Sequence, residues 1–98
     1  MPYAISWMDE PATAELRLEL RDAHLDYMRG NLHRVLASGG LLDDAGEVGI
    51  GGLILLDIDS RAEAEEFVKA DPFYTGGVYR NPVITRWRKA FYDGKAFL

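Results

Sequence analysis

The stretch GGLLDDAGEVGIGGLILLDID, Gly39 to Asp59, decides the fold. Two apolar runs flank an Asp/Gly cluster, which is the local signature of a hairpin: a short strand, a turn at DAGE and a second strand through about Ile58. In that second strand Leu53 and Leu55 point opposite to Ile54, Leu56 and Ile58, because successive side chains alternate across a pleated strand. A strand that is apolar on both sides needs cover on both faces.

Working outward, the segment from Pro11 to Ser38 has no internal Pro, carries Gly only at 30, and is dominated by Ala, Leu, Glu and Arg. That composition predicts one long helix, with Gly39-Gly40 as its stop. Ahead of it, Tyr3 to Met8 sets Tyr3, Ile5 and Trp7 against Ala4, Ser6 and Met8, the period of a strand, and DEP closes it with a turn. Downstream, Ser60 followed by Glu63 is a capping box that opens a second helix, to about Ala70, where Pro72 disfavours helical geometry at Asp71. VYRNPVITRWRKAF, Val78 to Phe91, is the last extended region, with Pro82 marking an edge, a bulge or a break between two short strands.

The order is β-α-β-β-α-β, so the expected fold class is α+β, a ferredoxin-like subunit with two helices on one face of an antiparallel sheet. Trp7 and Trp87 add more apolar surface. The face without helices then calls for a second copy, giving a homodimer that closes a barrel-like core, with burial contributing about 25 cal/mol per Å².

With 98 residues the chain is a single domain. The hydrophobic fraction of 48% against 28% charged residues places it among globular rather than disordered chains. A net charge of -5, with no basic cluster beyond the solvated RWRK at Arg86 to Lys89, argues against nucleic acid. No apolar run approaches the roughly 20 residues of a membrane span, and MPYAISWMDE lacks the features of a signal peptide, so a cytoplasmic location is expected. Zero cysteines exclude disulfides and thiolate catalysis.

The first helix carries a polar seam. With Leu16 as zero and about 100° per residue, Leu20, Ala23 and Tyr27 lie close to it, and Leu18, Leu25, Leu32 and Leu36 lie roughly opposite. Glu15, Glu19, Asp22, Asp26, Arg29 and His33 form a water face. Between the apolar stripes, at roughly 80 to 140°, lie Arg17, Arg21 and His24, followed by Met28 and Val35. His24 and His33 point in opposite directions and cannot share a metal; no metal site is expected. His24 is either a satisfied interface histidine or a pocket acid/base. Arg17 and Arg21 are either snorkelling stems paired to carboxylates or a site for an anionic substrate.

KADPFYTGG carries the second candidate. Asp71 before Pro72 suits the N-cap of a short turn, accepting from the Phe73 or Tyr74 amide. An Asp whose other oxygen reaches an imidazole would fix the tautomer and complete a general acid/base unit.

R-x-x-x-R-x-A-H-L at Arg17, Arg21, Ala23, His24 and Leu25, with A-D-P-F/Y-x-x-x-G-V-Y at Ala70 to Phe73 and Gly77 to Tyr79, resembles the YciI-like (YCII-related) family over essentially the whole chain. The resemblance implies a dimeric α+β barrel, a pocket between the first helix and the sheet, and His24 and Asp71 as catalytic residues. Arg17, Arg21, Phe73 and Tyr79 are then the expected substrate contacts. One activity in the family is dehydrochlorination of a chlorinated hydroxyquinol. The chain departs from the family pattern at Gly52, where many relatives carry Ser, and its DDAGEVG turn is shorter than in some, which could widen the pocket mouth.

The expectation is therefore a cofactor-independent lyase or isomerase acting on a small cyclic or aromatic compound through a His-Asp pair. No G-x-G-x-x-G or P-loop pattern points to a nucleotide or flavin. The alternative is a non-catalytic ligand-binding or oligomerisation module of the same fold. A haem-handling or oxygenase role, known for other dimeric α+β barrels, is a third possibility.

Overall fold

The computed structural model describes all 98 residues. β1 (Tyr3–Asp9) leads into α1 (Ala14–Arg29), and a 3₁₀ turn (Leu32–Arg34) delivers the chain into β2 (Val35–Leu42) and β3 (Gly49–Leu56). α2 (Arg61–Ala70), α3 (Pro72–Thr75) and β4 (Tyr79–Arg86) follow, and a small hairpin of β5 (Phe91–Tyr92) and β6 (Lys95–Ala96) ends the chain. The main sheet is antiparallel in the order β2-β3-β1-β4, as expected of a ferredoxin-like subunit. No helix is long and apolar enough to cross a membrane.

Strand register sorts side chains onto two faces. Ile84, Ile5, Ile54 and Ser38 form one row across the four strands, facing the helices. Ile5, Ile54 and Leu56 are fully enclosed there with Phe67, Val68 and Phe73 of the helices. The next row, Val83, Ser6, Leu53 and Gly39, faces away from them. There Leu53 is 41% and Val83 55% exposed, so the apolar second face of β3 is uncovered within one chain.

Two local expectations are met. Ser60 Oγ accepts from the Glu63 amide at 3.1 Å and opens α2. β4 runs through Pro82 on a sheet edge, where a missing amide costs no ladder bond. A bulge accompanies it: the β1–β4 register shifts between Ser6 and Met8, and Asn81 adopts φ 45°.

The first helix corrects the expectation. It ends at Arg29, not near Ser38, and Gly39-Gly40 lie inside β2 instead of stopping a helix. The stop comes from Asn31, whose side-chain amide donates to the open Tyr27 carbonyl at 2.7 Å. Val35 to Leu42 then pairs with β3, and this non-local ladder overrides the helical pattern that Leu32 and Leu36 continue. The terminal hairpin is also additional. Asp93 and Gly94 take φ 54° and 71°, the left-handed pair of a two-residue hairpin turn.

Candidate active site

Asp71 is placed by the corner between α2 and α3. The following Pro72 keeps it extended, at φ -70° and ψ 128°, so its carboxylate turns forward and accepts from the Phe73 amide at 3.0 Å. Tyr79, at the start of β4, donates its hydroxyl to the other carboxylate oxygen, Oδ2. The third partner is His24, whose Nδ1 stands 2.8 Å from Oδ1. Asp71 is fully buried, so these contacts replace its water.

The tautomer follows. An ionised carboxylate only accepts, so Nδ1 carries the hydrogen and donates to Asp71. Nε2 is left without a protein partner, and the only sealed polar atom lacking one in the chain is Arg34 Nε. Nε2 therefore reaches solvent through the 13% of the His24 side chain that is exposed. Phe73 stacks on the imidazole at 4.0 Å and 7°, and the Arg17 guanidinium lies 5.1 Å from the same phenyl ring.

A cleft of about 670 Å³ opens in front of His24, between α1 and the β2–β3 hairpin. Its lining includes Trp7, Arg21, Ser38, Glu47 and Phe73. Asp43 shapes the mouth: its carboxylate accepts from the amides of Glu47 and Val48, and these bonds hold it below the usual carboxylate range.

The expected substrate contacts divide. Phe73 and Arg21 line the cleft, and no carboxylate pairs with Arg21. Arg17 lines it too, but its guanidinium is held by Asp9 at 2.6 Å and by the Gly51 carbonyl at 3.2 Å. Tyr79 corrects the expectation: it is buried behind Asp71 with its ring 4.0 Å from Trp7, outside the cleft lining. Asp9 and Trp7 were missed. Asp9 neutralises Arg17 and also accepts from the Trp7 indole at 3.1 Å, contacts for which no local motif gives a signal. No group of three His, Asp or Glu side chains is placed to hold a metal ion.

Burial, and then the Asp71 charge, push the Tyr79 hydroxyl far above the ordinary tyrosine value, so it remains a donor. A pKa raised by folding stabilises the protein below the unfolded value of about 10 and loses that contribution as pH rises beyond it. We expect the urea midpoint to fall between pH 8 and pH 11, and to fall less in Tyr79→Phe; equal falls would contradict the assignment.

The model of the YCII-related domain matches residues 1–88. The chain belongs to the YCII-related family. Protein YciI of Escherichia coli is 30% identical over 99 residues, covering 93% of this chain and all of the relative. An uncharacterized Haemophilus influenzae protein is 29% identical over 98 residues, with the same coverage. The fold of the YCII-related domain is also that of a Burkholderia phenoliruptrix 5-chloro-2-hydroxyhydroquinone dehydrochlorinase, solved in complex with 2,5-dihydroxybenzoquinone. That likeness has a TM-score of 0.84 at 24% identity, over 90% of this chain and 94% of the other. The terminal β5–β6 hairpin lies beyond the matched YCII-related segment.

Proposed function

We propose that the chain is a small cofactor-independent enzyme of the lyase or isomerase type, acting on a small cyclic or aromatic, oxygen-bearing compound in the cleft. The observation that carries this reading is the 2.8 Å contact from His24 Nδ1 to the fully buried Asp71, with Nε2 left free toward the cleft. Nε2 takes a proton from an acidic hydroxyl or ring carbon. The electron pair left behind either expels an anionic substituent, as in loss of hydrogen chloride, or returns to another ring atom with a proton, as in isomerisation. Asp71 orients the ring and offsets its charge as it becomes imidazolium. Arg17 is already neutralised by Asp9, so Arg21 is the cation for substrate oxygens.

The solved dehydrochlorinase, whose complex holds a flat ring bearing four oxygens, supports the class of compound. The test is to titrate 2,5-dihydroxybenzoquinone and related hydroxylated rings into the protein, following the His24 and Arg21 side chains by NMR, and to assay chloride release from 5-chloro-2-hydroxyhydroquinone. Shifts at both residues, with turnover of at least one ring, are expected. No shift at His24 across the panel would overturn the reading.

The exposed row of Leu53 and Val83 supports a homodimer through the helix-free face. Leu53→Asp should convert the dimer to a monomer in light scattering after gel filtration; a monomeric parent chain would contradict this.

A further inference from the structure

β3 carries no side chain at Gly52, and Trp7 is the reason. Trp7 stands directly opposite Gly52 across the β1–β3 ladder. A Cβ added at Gly52 would lie 2.2 Å from Cζ2 and 2.3 Å from Cη2 of the indole. The ring is not free to swing aside. Its Nε1 donates to Asp9 at 3.1 Å, Asp9 is clasped by Arg17 at 2.6 Å, and the Tyr79 ring packs 4.0 Å away at a tilt of 33°. The indole is only 5% exposed, yet it belongs to the cleft lining. The neighbouring strand adds no bulk, since Gly40 is the residue paired with Gly52 on β2. One locked side chain therefore sets the depth of the cleft over this part of the sheet. Its single donor is engaged by Asp9, so the surface it offers is carbon.

The geometry points to Trp7 as a specificity-determining residue: it limits how far a ring sinks toward β3 and requires the inserted part to be apolar, leaving the ligand's oxygens to His24 and Arg21 on α1. The inference rests on reading the cleft as a site for a cyclic compound and deepens it. A single ring fits over the indole, while a fused second ring lacks depth.

The test compares affinities for 2,5-dihydroxybenzoquinone and the larger 2-hydroxy-1,4-naphthoquinone in the parent chain and in Trp7→Leu, with Trp7→Phe in its place where Trp7→Leu does not fold. The expected result is a shift of the affinity ratio toward the naphthoquinone by about tenfold or more, the scale at which pocket size discriminates apolar groups. Gly52→Ser should lower the thermal midpoint of the parent chain and be tolerated in Trp7→Leu, because its added atoms then occupy vacated space. An unchanged affinity ratio, or equal sensitivity to Gly52→Ser in both backgrounds, would overturn this inference alone. Failure of every variant to bind either ring would overturn the proposed ligand class and this inference together.

Discussion

In the Asp71→Ala chain the urea midpoint falls by the equivalent of about 3–5 kcal/mol, the range for breaking a buried hydrogen-bonded pair from one side. Three losses combine. The cap of α3 disappears, worth about 1 kcal/mol, with the Phe73 amide as its former donor. The Tyr79 hydroxyl loses its acceptor inside the protein, and an unpaired buried polar group costs about 1–3 kcal/mol. His24 loses the partner that fixes its tautomer. Against a domain stability of about 5–15 kcal/mol, the variant is left marginal. The control is a double-mutant cycle: Tyr79→Phe destabilises the parent chain and changes little once Asp71 is gone. An Asp71→Ala midpoint within about 1 kcal/mol of the parent would contradict the network as described.

His24→Gln is expected to behave in the opposite way. Turnover should fall by about 10²–10⁴-fold, the usual contribution of a positioned general acid or base. The fold should persist, because a glutamine amide can still donate toward Asp71 and the position lies at the edge of the cleft. Steady-state kinetics on whichever ring is turned over, with circular dichroism on the same samples, separates the two effects. Unchanged turnover would remove His24 from the mechanism. A stability loss equal to that of Asp71→Ala, with ligand binding intact, would instead make the pair a lock on the structure.

Much of the site was legible because its logic is local. Asp71-Pro72 announces a cap within three residues, and the structure makes that bond to the Phe73 amide. The helical seam placed His24 and Arg21 on the side of α1 that borders the cleft. The far end of α1 was not legible. Leu25, Leu32 and Leu36 keep helical spacing past Gly30, and only the pairing of Val35 to Leu42 with a strand further along the chain makes that segment extended. Leu18, counted with an apolar stripe, is 72% exposed near the cleft instead of packed in the core. The direction of Tyr79 was hidden for the same reason, since its motif gives its presence and only the sheet gives its facing. The terminal hairpin, by contrast, has a local signal in Asp93-Gly94, between Phe91–Tyr92 and Lys95–Ala96.

Asp71 serves two masters: the same carboxylate caps the start of α3 and anchors the imidazole. In a lineage released from selection for chemistry, the aspartate cannot drift away without damaging the protein's ability to persist in the cell. His24 has no such second duty. Where His24 works as the proposed base, relatives without that activity should therefore keep the acid and lose the base, so a histidine-less, aspartate-bearing sequence would mark lost chemistry rather than a failed fold.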